Sequence, residues 1–445
     1  MGKAFRADRD MSRKAICALL LAALLLPLPG GCARQREEEA AEPAADAVVI
    51  QTNMEAEAEP ALYLAEDAAH PALMALKSDG RFHPNSPVTK EELCAVLYPL
   101  LDGLKGGRVP FSDVKRSNGS YRAIAALYRA GLLPDADEDE FHPGQSVTRA
   151  YLAALLHNIS DALGGEDAQR VRLLAIDVTV GMTAAEGADI SDGAWVNRRE
   201  TAVILTRMMG REPNAQDLFM NGCVPADVTV EDPAWSCMAD VVTEGTVGPV
   251  SGGVHRLYGW LYAAWDDGTM ITDLDYGVWT FGPDGRYTTG DEVLDMYLAD
   301  ALEESGANDL PDEEALKAAY LYIKYDFQYL VRPEDMETIP VGVTGWEYDR
   351  AKRFFRYGGG TCYGYAAAFG LMARALGQHA YVVAAEVNQF YGAHGFVVIP
   401  EGDTDVIYDV ELEATRPERH DDFDLYGILN KTIYNYWYVA NWREQ

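Results

Sequence analysis

The chain has 445 residues, 48% hydrophobic, 10% aromatic and 24% charged, too long for one ordinary core and apolar enough to fold into two or three domains. Its 70 Asp and Glu against 37 Lys and Arg give a formal net charge of −33. Such a surface repels phosphate backbones and argues against nucleic acid as a partner, while it suits an exported protein that must stay soluble.

Met11 to Cys32 reads MSRKAICALLLAALLLPLPGGC: basic residues, an apolar run, then small residues before a cysteine, the layout of an export leader. The run falls short of the roughly 20 apolar residues that span a bilayer, and Pro27 and Pro29 interrupt its end. Gly30-Gly31-Cys32 resembles a lipoprotein lipobox, which implies lipidation of Cys32 and attachment to the membrane through it; an ordinary cleaved signal exports the chain equally. Residues 1–32 are therefore assigned to the leader. Residues 33–60, rich in Ala and Glu without apolar periodicity, are assigned to a flexible acidic linker.

An internal repeat follows. Phe82-His83-Pro84 leading to Val88-Thr89-Lys90 recurs as Phe141-His142-Pro143 leading to Val147-Thr148-Arg149, and a weaker copy is Trp195-Val196-Asn197-Arg198. Each copy enters an apolar helical pattern with Thr89, Thr148 or Asn197 as its natural N-cap. Phe111-Ser112-Asp113-Val114 and Pro225-Ala226-Asp227-Val228 precede further half-repeats. Together these residues resemble S-layer homology (SLH) repeats over residues 61–246. The resemblance implies an α-helical pseudo-trimer that binds anionic secondary cell-wall polysaccharide, with Lys90, Arg149 and Arg198 at the sugar-binding positions.

Residues 250–295 are aromatic and turn-rich, with Asp267-Gly268 and Asp284-Gly285 as hairpin signals. They resemble the aromatic hairpins of bacterial wall-binding repeats, and are read as a β-hairpin connector. Of six cysteines, Cys17 and Cys32 belong to the leader and Cys94 to an apolar helix, while Cys223 and Cys237 are near enough in sequence to pair outside the cell. Cys362 has no evident partner.

Gly358-Gly359-Gly360-Thr361 runs into Cys362 and the apolar helical pattern YGYAAAFGLMARAL, ended by Gly377. A cysteine at a helix N-terminus meets unpaired amides that favour thiolate over thiol, and the glycines leave room for a substrate carbonyl. Three strand-like runs follow, 380–387, 395–400 and 406–412, with His394 at the mouth of the second and Asp409 within the third. The spacing predicts that Asp409 holds one imidazole nitrogen while the other faces the thiol; His379 and His420 are alternative bases. Gly360, Cys362, Gly364, Tyr365, Ala366, Phe369 and Arg374 through Gly377, then His394 and Asp409, resemble the transglutaminase-like superfamily over residues 300–445.

That resemblance implies a papain-like α+β domain with an antiparallel sheet, in which Cys362 is the nucleophile, His394 the base and Asp409 its orienter. The oxyanion donors would be the Cys362 amide and a side chain from Gln328, Tyr329 or Trp346. The two resemblances together imply a multi-domain protein, α-helical repeats followed by this domain, expected to act on peptide or protein amides through a thioester. The rival is a non-catalytic envelope-binding protein. No metal-ligand cluster or nucleotide fingerprint is present in the sequence, so no cofactor or metal is expected.

Overall fold

The computed structural model describes residues 62–340, 342–387, 392–415 and 425–429; the leader with Cys32, the acidic linker and His420 lie outside them. Among the described residues no helix is long and apolar enough to cross a membrane. The chain opens with β1 (Tyr63–Leu64), α1 (Lys90–Leu97) and β2 (Leu101–Asp102), then α2 (Tyr121–Arg129), α3 (Arg149–Ala162), α4 (Gly165–Val180), α5 (Arg198–Met209), α6 (Ala215–Met220) and α7 (Trp235–Asp240).

Helices α1, α3 and α5 open at the three caps: Thr89 accepts from the Glu92 amide at 3.3 Å, Thr148 from Tyr151 at 3.2 Å and Asn197 from Glu200 at 2.8 Å. The valine before each cap joins a closed ring of backbone hydrogen bonds. Val88 N donates to Val196 O (3.0 Å), Val196 N to Val147 O (2.9 Å) and Val147 N to Val88 O (2.8 Å). Three copies of one motif thus satisfy each other's buried backbone groups.

Carboxylates add a second set of stitches. Asp113 accepts from the amides of Phe141 (2.9 Å) and His142 (2.7 Å), and Asp227 from those of Phe82 (2.8 Å) and His83 (2.7 Å). His83 and His142 take φ of +55° and +56°, which presents two successive amides to one carboxylate. Burial works against the charge on both aspartates, but the paired amides outweigh it and hold them below their ordinary range.

Next come β3 (Gly253–Leu257) paired with β4 (Trp260–Ala264), and a small sheet of β5 (Leu274–Tyr276), β6 (Trp279–Phe281) and β7 (Tyr287–Thr288). Asp284-Gly285 turns between β6 and β7, with Gly282 N bonded to Arg286 O at 2.9 Å; Asp267-Gly268 turns after β4, with Trp265 N bonded to Thr269 O at 2.9 Å. The β3–β4 turn carries no such signal. It places Tyr258 and Gly259 at φ of +55° and +78°, the twist a two-residue hairpin loop requires.

This connector is packed on both sides. The Phe219 ring of α6 lies 5.2 Å from that of Tyr258 and 5.0 Å from that of Tyr262, while Trp279 Nε1 donates to Arg374 O (2.9 Å) and Arg256 to Ala307 O (2.9 Å) farther along the chain.

The C-terminal part comprises α8 (Glu292–Glu304), α9 (Asp312–Asp326), β8 (Gln328–Tyr329), α10 (Trp346–Tyr357), β9 (Gly359–Gly360), α11 (Cys362–Ala375), β10 (Tyr381–Val387), β11 (Gly392–Glu401), β12 (Thr404–Tyr408), α12 (Val410–Thr415) and β13 (Ile428–Leu429). Strands β10 to β13 form an antiparallel sheet in chain order, and α11 lies on it with α8, α9 and α10 around it. Its pattern is apolar all round, and from Tyr363 to Arg374 every residue is buried, as such a helix must be.

Two expectations are corrected. The run 406–412 is not one strand: it ends at Tyr408, and the Asp409 carboxylate accepts from the Leu412 amide at 3.1 Å, starting α12 instead. The Cys223–Cys237 bond is not formed; both are free, the Cys223 sulfur facing Asn221 O at 3.8 Å and Cys237 set within α7 beside Thr206.

Candidate active site

Each glycine ahead of Cys362 has its own structural reason. Gly358, at φ +72°, ends α10 in the left-handed cap. At Gly359 a Cβ would stand 1.9 Å from the Gln328 carbonyl oxygen, because β8 runs parallel and tight against β9. That space is therefore filled by backbone rather than left for a substrate, which corrects the role expected of this residue. At Gly360 a Cβ would sit 3.2 Å from the Phe354 ring. The three fix where α11 begins, and Cys362 is its first residue, a free and partly exposed thiol.

Strand β11 brings His394 to that helix tip. The residue after it must be small: a Cβ at Gly395 would lie 2.9 Å from Tyr363 Cδ1 and 3.3 Å from Cys362 O. The imidazole lies close enough to Cys362 for the sulfur to raise its pKa, and bonds through Nε2 to Asp409 Oδ2 at 2.8 Å. The register pairs Val397 with Tyr408, so Asp409, one residue beyond the strand, stands diagonally from His394. The other Asp409 oxygen is held by the Leu412 amide, so helix α12 aims the carboxylate.

The electrostatics follow from burial and partners. Burial alone would push the His394 pKa down, but the adjacent Asp409 charge, its hydrogen bond and the Cys362 sulfur overcome this and raise it well above 6.5. An imidazolium between a carboxylate and a sulfur is the resulting arrangement. It can protonate a leaving group and, once neutral, take a proton from an incoming nucleophile.

Of the proposed oxyanion donors, Gln328 and Tyr329 lie in β8, opposite Gly359 and Gly360, with exposed side chains. Trp346 cannot serve by its indole N–H, which donates to Val343 O at 2.9 Å; its ring packs edge-on to Tyr363. His379 lies beyond the other end of α11, stacked on Trp279 at 5.3 Å, so it is no rival base.

Two features have no sequence signal. Glu411 Oε2 lies 3.8 Å from His394 Nδ1, and ligand atoms of His394, Asp409 and Glu411 fall within 4.8 Å of one another, a set of types that could hold a metal ion. His394 Nε2 is engaged by Asp409. Asp335, in the loop before α10, is buried among Arg350 (2.8 Å), Arg353 (3.3 Å) and Arg332 (3.6 Å), and Arg332 also donates to Gly359 O, tying this loop to the approach to the thiol.

The helix-opening cations of the repeats are internally engaged. Arg149, 2% exposed, makes a bidentate pair with Glu200 (2.7 and 2.9 Å); Lys90 meets Asp135 at 2.8 Å and Phe141 O at 3.1 Å; Arg198 donates to Phe82 O and Ala75 O, both at 2.6 Å. Arg149 and Glu200 also line a groove of about 430 Å³ with Asn85, Asp189 and Trp195.

The comparisons define two classes of domain. A family model described as S-layer homology domain matches residues 110–150, and one described as transglutaminase-like superfamily matches residues 299–398, so the second domain is C-terminal to the first. Among individual proteins, the surface-layer 125 kDa protein of Lysinibacillus sphaericus is 26% identical over 146 residues, 29% of this chain and 12% of that protein. The amylopullulanase of Thermoanaerobacterium thermosulfurigenes is 35% identical over 81 residues, 18% of this chain and 4% of that enzyme. The chain thus spans a small fraction of either relative's length. No solved structure matches.

Proposed function

We propose that this is an exported cell-envelope protein whose C-terminal domain transfers acyl groups from peptide amides through a thioester on Cys362. The observation that supports it most is the line from the Cys362 thiol through the His394 ring to the Asp409 carboxylate. The sulfur bonds to the amide carbonyl carbon, the C–N bond breaks, and the His394 proton goes to the departing amine. Water or a second amine then attacks the thioester, gives its proton to His394, and the C–S bond breaks. The Cys362 amide, at the start of α11, and the Gln328 side chain would hold the oxyanion.

Water as acceptor makes the domain a cysteine peptidase or amidase; an amine makes it a cross-linking enzyme. Export and the S-layer homology domain favour hydrolysis of peptide or peptidoglycan stem-peptide amides. The same domain supports a surface location with secondary cell-wall polysaccharide as partner. Within it, the groove lined by Asn85, Asp189 and Trp195, the last 67% exposed at its edge, is the contact region we favour; Lys90, Arg149 and Arg198 are all enclosed. Attachment through a lipidated Cys32 belongs to this proposal.

The test is intact-mass detection of an acyl adduct after incubation with an activated peptide amide. The wild type should gain one acyl group and Cys362→Ala none; an adduct persisting in the variant would refute the assignment. Iodoacetamide mapping uses Cys223 as an internal reference. Labelling of Cys362 no faster than of Cys223 would favour the non-catalytic envelope-binding reading.

A further inference from the structure

Beside the line from Cys362 to Asp409 stands a carboxylate that acyl transfer does not use. Glu411, 9% exposed, lies in α12 with Oε2 3.8 Å from His394 Nδ1, while its Oε1 accepts from the Thr415 hydroxyl at 2.8 Å. His394 Nε2 is committed to Asp409, which leaves Nδ1 as the ring nitrogen for the thiol. The sulfur is near: it raises the imidazole pKa, and β11 runs so close that a Cβ at Gly395 would stand 3.3 Å from Cys362 O.

A thiol, an imidazole nitrogen and a carboxylate oxygen therefore converge on one spot. Zn²⁺ takes these three ligand types in a tetrahedron, and an open site keeps three protein ligands and one position for water. Bonds of about 2.0–2.2 Å put a nitrogen and an oxygen ligand roughly 3.4 Å apart at the tetrahedral angle. The 3.8 Å between Nδ1 and Oε2 closes to this with a small side-chain shift.

The outer layer that such a site needs is also in place. A ligating histidine gives its second ring nitrogen to a carboxylate, as Nε2 does to Asp409, and a ligating carboxylate is itself hydrogen-bonded, as Glu411 is by Thr415. Asp409 belongs to this outer layer because both its oxygens are engaged, by His394 and by the Leu412 amide. Two buried carboxylates around one imidazole leave an excess of negative charge that a divalent cation offsets.

We propose that Cys362 Sγ, His394 Nδ1 and Glu411 Oε2 form a site for a zinc-class divalent cation, which occupies the thiol reversibly. The cation takes the place of the one proton that the thiol and Nδ1 share, and that proton leaves to solvent. A thiolate ligand selects against Mg²⁺ and Ca²⁺, which prefer oxygen shells. The site depends on where the sulfur lies and not on whether it is acylated, so it stands apart from the acyl-transfer reading.

The test uses the full chain, reduced and stripped of metal by a chelator, with Zn²⁺ as ligand and Cd²⁺ as spectroscopic probe. Cd²⁺ should give an ultraviolet thiolate-to-metal band that Cys362→Ala loses, and Zn²⁺ should displace it with a dissociation constant on the order of 1 μM or tighter. In the wild type, saturating Zn²⁺ should slow iodoacetamide labelling of Cys362 at least about tenfold and leave Cys223 unchanged. Excess Ca²⁺ should do neither. Thr415→Val should weaken Zn²⁺ binding about tenfold and Glu411→Gln more than that. The proposal is overturned if Zn²⁺ leaves labelling of Cys362 unchanged, if Cys362→Ala keeps the full cadmium band, if Glu411→Gln binds Zn²⁺ as the wild type does, or if Ca²⁺ displaces the metal.

Discussion

Both halves of the molecule place a chemically capable side chain at the start of a helix, and they use it in opposite ways. In the repeats Lys90, Arg149 and Arg198 turn inward and are engaged by carboxylates and carbonyls of the same domain. In the C-terminal domain Cys362 stays partly exposed, with an imidazole beside it. A chemically capable residue at the first position of an apolar helical pattern is the same sequence signal in both. What separates scaffold from site is whether partners from elsewhere in the chain complete the coordination of that residue.

The strongest way to break this comparison is to disturb the thiol's partner. Asp409→Asn should lower turnover by roughly 10²–10⁴-fold, since the imidazole loses both its orientation and the charge that stabilises its protonated form. The pH dependence has a definite sign. His394 is raised in the fold, so its contribution to stability is complete below pH about 6.5, its ordinary value, and is lost as pH rises through the raised one. Urea midpoints measured from pH 6 upward should therefore fall with pH in the wild type and fall less in Asp409→Asn. The alkaline limb of activity should move to lower pH in that variant.

In the repeats the corresponding variant is Glu200→Ala, which strands the buried Arg149 charge. A loss of about 3–5 kcal/mol is expected, read by chemical denaturation. Acyl transfer should be unaffected under conditions where the chain remains folded. A small loss would mean that water reaches Arg149 and that its pairing is not structural.

Gly395→Ala sharpens the comparison at lower cost. The added methyl would meet Tyr363 at 2.9 Å, pushing β11 from the tip of α11. About 1–3 kcal/mol of stability should be lost, with turnover falling more than stability alone explains, because the His394 to thiol contact is the one stretched.

The helix caps, the repeat and the cysteine helix were legible because each is local: Thr89, Thr148 and Asn197 act within one turn, and the apolar pattern after Cys362 states its own burial. The hydrogen bond between His394 and Asp409 was legible through strand spacing, yet the reason it forms was not. Asp409 had already left the strand and was capping α12. Gly359 looked like room for substrate, when the occupant was the Gln328 carbonyl from a strand about thirty residues earlier. The same applies to Asp335 and its three arginines, and to Tyr258, whose left-handed turn depends on Phe219 and Val224 for support. Such contacts depend on which distant segments meet, and periodicity carries no record of that.

The bonds from Asp227 to Phe82 and His83 join segments 145 and 144 residues apart. A linear array of repeats can grow one unit at a time and be shortened at either end. This closed circuit has no spare end: during synthesis the first unit must wait for the last before its amides find their acceptor, so slow assembly governed by loop closure is built into the architecture. Deleting any one unit should then unravel all three rather than leave a stable pair.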